Sequence, residues 1–255
     1  MSCPACNISK ENCELPLCLL QSDEIYVDFT PESDNDLSEK QKSDINHLLH
    51  EFHDIFSNKS SGLTKIGRHK ILVKIDFKPF KCQPYRLHPD NQKILDAEIK
   101  KLIDLDLIQE SQSSFASPCM LLEKPDGGVG LIIDFRKLNS QCNCQSFSIG
   151  RIDDLIDKIG QSKFLTKIDV TKAYWNVKLE EEPIPYTAFI TRNGLFEWKV
   201  LPFGLSGACA TYNQIENKLL ERFRHFTSDY FDDVLIFSSS WPNHLLDVSN
   251  VLKVI

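Results

Sequence analysis

Tyr230-Phe231-Asp232-Asp233 constrains this chain more than any other stretch. Two adjacent carboxylates lie between apolar runs at 226–231 and 234–237. Apolar residues on both sides of so short a break specify a tight β-hairpin with the acids at or beside its turn. Neighbouring Asp side chains repel each other, so such a pair is tolerated where water or cations compensate it, and divalent ions are the usual compensation. Upstream, Phe164-Leu165-Thr166-Lys167-Ile168-Asp169-Val170 is a second strand-like run with one carboxylate near its end. One Asp on a strand end and two on a hairpin meet the needs of a two-metal phosphoryl-transfer site. A solvated hairpin turn is the plain alternative, since Asp is common in turns.

Composition narrows the classes. The 255 residues suit one large domain or two small ones, and an apolar share of 42 % is ample for a core. No apolar run reaches the roughly eighteen residues of a membrane span, and no secretory signal is present, so an intracellular chain without membrane partners is expected. The formal charge of −7 argues against a generically basic nucleic-acid binder. It does not exclude a polymerase, in which local basic patches follow the phosphates and metals serve an acidic centre. Nine cysteines without a secretion signal read as thiols rather than a disulfide framework. Cys3, Cys6, Cys13 and Cys18 leave two readings open, a zinc site or scattered thiols: Cys3-Pro4-Ala5-Cys6 has ligand spacing, but no second such pair follows.

Along the chain, residues 1–36 lack periodicity and read as a poorly ordered acidic leader carrying those four cysteines. Residues 37–80 read as a helix and an extended connector. Ser38 with Gln41 forms a capping box, and Ile45, Leu48, Leu49, Phe52, Ile55 and Phe56 follow at helical spacing up to a break at Ser60-Ser61-Gly62. Residues 69–75 read as a strand. Within 81–255 the pattern predicts a helix over 92–107 with Leu95, Ile99, Leu102 and Ile103 on one face. It predicts a hairpin around Pro125-Asp126-Gly127-Gly128, and a helix over 151–159 striped by Ile152, Leu155, Ile156 and Ile159. Strands are expected over 164–170, 177–179, 187–190 and 196–200, a helix capped by Ser206 over 206–223, and a last helix from His244. The class is α+β, helices against a mostly antiparallel sheet.

The ordered segments Pro84-Tyr85-Arg86, Ile133-Asp134-Phe135-Arg136-Lys137-Leu138-Asn139, Asp169 to Tyr174, Gly194-Leu195-Phe196-Glu197-Trp198, Leu201-Pro202-Phe203-Gly204-Leu205 and Tyr230 to Asp233 carry a further signal. In this order and spacing the chain resembles, from about Leu37 onward, the reverse transcriptase domain of gypsy-type LTR retrotransposon and retroviral Pol polyproteins. The resemblance implies a right-hand polymerase, with fingers and palm over 81–255 ending before the thumb. It implies nucleotidyl transfer from a dNTP to a primer 3′-hydroxyl on an RNA or DNA template, with Mg²⁺, or Mn²⁺ in its place. Asp169, Asp232 and Asp233 would be the catalytic, metal-holding carboxylates. Partners would be primer–template, dNTP and, in a longer product, RNase H and integrase. The setting would be the cytoplasm, a virus-like particle or the nucleus.

Further roles follow from the same resemblance. Tyr174 would stack under the nucleotide sugar and exclude a 2′-hydroxyl, with a core aromatic as the alternative. Phe203 would form a second wall of that pocket, or pack at its turn. Lys124 would pair with the triphosphate, or be merely solvated. Arg136 would lie against the template, where its planar fork suits phosphate. The chain departs from the family at Val129-Gly130, where relatives carry a triphosphate-gripping Arg, at Tyr186, and at Ala208-Cys209, which replaces a small-residue–Pro step. A non-catalytic remnant or nucleic-acid-binding module is therefore the competing expectation.

Overall fold

Ser38 and Gln41 close a reciprocal cap at the start of helix α1 (Glu39–Glu51), each side chain accepting from the other's backbone N–H. This satisfies two amide donors that a helix start leaves without partners. The structure, a computed structural model, describes residues 37–56, 63–123, 129–143, 152–170, 172–230 and 233–255. The leader with its four cysteines and the break at 60–62 lie outside the described residues.

After β1 (Arg68–His69) comes α2 (Pro89–Asp104), with Pro89 in its first turn, where a missing N–H costs nothing. It starts three residues before Gln92, and the chain reverses at Asp106 with φ 57°. Leu95, Ile99 and Leu102 are buried, but Ile103 is 41 % exposed, so the apolar face is narrower than the sequence pattern. Then follow β2 (Ile108–Glu110), β3 (Ser117–Glu123), β4 (Val129–Ile133), α3 (Arg136–Asn139), α4 (Ile152–Ile159) and β5 (Phe164–Asp169). A 3₁₀ turn at Ala173–Asn176 leads to β6 (Lys178–Leu179), and a second at Ile184–Thr187 leads to β7 (Phe189–Ile190) and β8 (Leu195–Trp198). The chain continues through α5 (Ala208–Leu220), β9 (Thr227–Tyr230), β10 (Asp233–Ser238) and α6 (Trp241–Leu252).

The strands form a five-stranded sheet in the order β2-β8-β7-β3-β4, a three-stranded sheet β5-β10-β9 and a small pair β1-β6. The expected β3–β4 hairpin is present, antiparallel from Cys119↔Ile133 to Glu123↔Val129. The three-stranded sheet is wholly antiparallel, whereas β3–β7 and β1–β6 run parallel.

Three expectations need correction. The strand expected over 69–75 shrinks to Arg68–His69, because beyond it the backbone bonds to the 141–143 loop (Lys74 N–H to Gln141 O, Asn143 N–H to Leu72 O) instead of a ladder. Ser206 does not cap α5. Gly207 does, at φ 82°, a left-handed turn that glycine enters without strain. On α4, Ile156 is 59 % exposed while Leu155 and Ile159 are half-buried, so the covered face is narrower than the sequence pattern.

Two apolar clusters hold these layers. The larger surrounds the five-stranded sheet and includes Leu95, Leu102, Phe135, Leu138, Phe189 and Leu201. The smaller, among them Leu48, Leu220, Val234, Ile236 and Val251, closes the back of the three-stranded sheet with α1 and α6. No described helix is long and apolar enough to cross a membrane.

Candidate active site

Alternation along β5 sends Leu165, Lys167 and Asp169 to the open face and leaves Phe164, Thr166 and Ile168 half-buried. The antiparallel register sets Asp233 of β10 directly opposite Asp169, with Leu235 opposite Lys167. Directly opposed residues have Cβ atoms about 4.5–5.5 Å apart, so the two carboxylates share one sheet end. Tyr230 pairs with Asp233 to close the hairpin; Phe231 and Asp232 lie outside the described residues. The Asp169 carboxyl is pushed above its ordinary value by burial, then by the charge of Asp233 and the hydrogen bond between the two, with Lys167 opposing. As a residue Asp169 is exposed, and the charge of Asp233 faces it directly across the strand pair. Lys167 Nζ lies 2.8 Å from Asp233 Oδ2. Among the described residues no group of three or more His, Cys, Asp or Glu is placed to hold a metal; of the three Asp named from sequence, only Asp169 and Asp233 fall among them.

Beneath this end, β5 is fastened to α6. Thr166 Oγ1 lies 2.8 Å from His244 Nε2, and His244 Nδ1 lies 3.0 Å from Ser238 Oγ. The Ser238 hydroxyl donates to Asp247 at 2.7 Å. Its single proton is thereby committed, so Nδ1–H of His244 donates to Ser238 and Nε2 accepts from Thr166. This arrangement needs a neutral ring. Burial lowers the His244 pKa accordingly, against the pull of Asp247. Trp241 Nε1 donates to Asp44 at 3.0 Å, tying α6 to α1.

The aromatic wall stands beside the 3₁₀ turn that follows Lys172, at φ 53°. Tyr174 is 9 % exposed, so much of its body is core. Its ring meets Phe203 edge-on at 4.9 Å and Tyr212 at 5.5 Å, and its Oη lies 3.1 Å from Cys209 Sγ. Phe203 is 53 % exposed and its ring also lies 6.4 Å from that of Trp175. Its turn passes through Gly204 at φ 83° and is held by Asn139, which donates to Gly204 O and accepts from the Ser206 N–H, each at 2.8 Å.

A cleft of about 650 Å³ opens nearby, lined by Cys82, Gln83, Tyr85, Pro118, Asp134, Arg136 and Lys137. Arg136 grips Asp134 through Nε at 2.8 Å and Nη2 at 2.6 Å, leaving its remaining N–H groups exposed. Hydrogen bonding from Arg136 holds the Asp134 carboxyl down to about 2, against the effect of burial, with help from the Arg136 backbone N–H, its charge and Tyr85. Lys124 lies outside the described residues. Gly130 sits opposite Leu122 in the hairpin.

Lys167, Asn139, Cys209 and His244 were not singled out from sequence as site residues. Strand alternation alone puts Lys167 on the face of Asp169; the other three contacts join segments that sequence spacing does not relate.

The family model described as reverse transcriptase (RNA-dependent DNA polymerase) matches residues 74–255. The enzymatic polyprotein of cauliflower mosaic virus (strain Strasbourg) is 31 % identical over 180 residues, 69 % of this chain and 26 % of that protein. The retrovirus-related Pol polyprotein from transposon 297 of Drosophila melanogaster is 28 % identical over 233 residues, 88 % of this chain and 22 % of that protein. The chain thus spans about a quarter of the length of these curated relatives. Among solved structures, the foamy viral protease-reverse transcriptase in complex with an RNA/DNA hybrid matches with a TM-score of 0.77 at 19 % identity, over 86 % of this chain and 30 % of that one. The native prototype foamy virus protease-reverse transcriptase also gives 0.77, at 21 % identity. The α+β layout is that of reverse transcriptase palm and fingers, and with the family model covering most of its length the chain belongs to the reverse transcriptase (RNA-dependent DNA polymerase) family.

Proposed function

We propose that this chain is the fingers-and-palm part of an RNA-directed DNA polymerase, acting within a longer retroelement or viral polyprotein. The observation that carries this reading is the direct pairing of Asp169 with Asp233 on the open end of an antiparallel sheet. Carboxylate oxygens are the donors Mg²⁺ prefers, and Mn²⁺ accepts the same set. Bound there, divalent ions would supply activation of the primer 3′-hydroxyl and neutralisation of the leaving pyrophosphate. Asp169 and Asp232 would hold them, with Asp233 in support. Tyr174 and Phe203 would wall the nucleotide, the Tyr174 ring leaving no room for a 2′-oxygen. The exposed N–H groups of Arg136 would take template phosphate, and Lys124 would serve the triphosphate. The substrates are dNTP and primer on an RNA or DNA template; the foamy viral protein similar in fold was solved in complex with an RNA/DNA hybrid.

Gly130 favours a second reading, a nucleic-acid-binding module without catalysis, because it removes a cationic donor from the fingers hairpin. Primer extension on a homopolymer RNA template with Mg²⁺ or Mn²⁺ separates the two. Incorporation abolished by Asp169→Asn supports the polymerase. Retained primer–template binding without incorporation, under both ions, supports the module.

A further inference from the structure

The carboxylate end of the β5–β10 pair carries a cation of its own. Lys167 precedes Asp169 by two residues and shares its face. Its Nζ reaches diagonally across the strands to Asp233 Oδ2 at 2.8 Å, the Lys167 side chain 55 % exposed and that of Asp233 28 %. Its neighbours on that face, Leu165 and Leu235, are apolar, so the acidic end is where an ion partner lies. Like charges directly opposed in a sheet destabilise it, and the Asp169–Asp233 pair is such a case.

We propose that Lys167 is a positioning residue for this pair. It commits Asp233 to the supporting role, leaves Asp169 open, and competes with divalent ions for Asp233. The proposal rests on the metal-site reading above. An ammonium that neutralises the pair in the ion-free protein must yield when a divalent ion enters, so the site is preformed and its ion affinity is held down. A unit charge this close, half-exposed and partly screened, changes the affinity for a dication by about three- to tenfold. A purely structural Lys167 gives the opposite sign, because its loss loosens the site and weakens binding.

The test is Mn²⁺ binding to the 255-residue chain, read from the electron paramagnetic resonance signal of unbound Mn²⁺ and from Mn²⁺-induced thermal shift. In the wild type, Asp169→Asn should weaken binding at least about tenfold. Lys167→Met should tighten it about three- to tenfold and enlarge the thermal shift. Lys167→Arg should restore wild-type affinity, and Lys163→Met, at the far end of the sheet, should leave it unchanged. Should Lys167→Met fail to fold, Lys167→Gln makes the same measurement. Affinity equal to or weaker than wild type in the Lys167 variants overturns this proposal alone, as does equal tightening by Lys163→Met. A wild type whose Mn²⁺ binding does not depend on Asp169 sinks both this proposal and the metal-site reading.

Discussion

The two larger sheets solve different problems with similar strands. The five-stranded sheet sits among large aromatics: Phe189 is fully buried and packs against Phe196 at 5.9 Å and Trp198 at 6.1 Å. The three-stranded sheet is fully covered on one face and only partly on the other, where Phe237 is buried but Leu165, Lys167 and Asp169 are exposed. Val234 and Ile236 point into the smaller cluster, while Leu165, 54 % exposed, shares the open face with Asp169. Burial therefore stabilises the first, and the second keeps a charged edge open by leaning on α1, α5 and α6. Stability and chemistry should separate along this line.

The sharpest way to break the comparison is at Asp169. Asp169→Asn should lower primer extension on the order of 10³-fold or more, since a metal-holding carboxylate acts on the transition state. It should leave the melting temperature unchanged or raised, because a like charge facing Asp233 is removed. Leu165→Ala on the same face should change stability by no more than about 0.5 kcal/mol. A large thermal loss in Asp169→Asn would mean that the open face also carries the fold.

Phe189→Ala tests the other sheet. Removing a fully buried Phe should cost about 3–5 kcal/mol in urea unfolding, with nucleic-acid binding per folded molecule retained. A loss of binding without a loss of stability would reverse the assignment of roles.

Acid acts on the fold through two buried histidines, His69 in the β1–β6 pair and His244 behind the three-stranded sheet. Burial lowers the His69 pKa from 6.5 to about 4, and its Nδ1 lies 2.7 Å from Thr211 Oγ1. A lowered histidine pKa means that the unfolded chain binds more protons between the two values. The stability it contributes is complete above pH 6.5 and is lost as pH falls toward 4. The loss is on the order of 2–4 kcal/mol, and His244 acts in the same direction. Urea midpoints from pH 7.5 to 4 check this: His69→Phe should flatten the profile, and an unchanged profile would refute the assignment.

The smallest effect belongs to the Tyr174 wall, at the border of the larger cluster. Cys209→Ala removes the Sγ partner of Tyr174 Oη. A weak bond of this kind is worth about 0.5 kcal/mol, so selection of dNTP over rNTP should fall by roughly twofold. The effect should vanish in a Tyr174→Phe background, where the hydroxyl is already gone.

Much of this molecule was legible because its signals are local. The Ser38–Gln41 box, the β3–β4 hairpin and the placing of Asp233 at the start of β10 each follow from residues a few positions apart, where capping and alternation act. The expectations that failed needed information from elsewhere in the chain. Residues 69–75 have strand composition, but beyond His69 they form only an isolated bridge, Val73 to Cys142, with a loop. Ser206 looks like a cap, yet the approach to α5 turns through Gly207. Ile156 fits a helical stripe but stands exposed, while Leu155 and Ile159 on the same stripe are half-buried.

The sequence by itself determined the family, the strand carrying Asp169 and the side of that strand on which it lies, because period-two alternation is a property of the backbone. Only the tertiary structure decided that Asp169 faces Asp233, that Lys167 holds Asp233, that Asn139 fastens the Phe203 turn and that His244 anchors Thr166. Each of these joins residues far apart in the chain, and strand register and helix docking are set by the summed burial of two cores rather than by any local pattern.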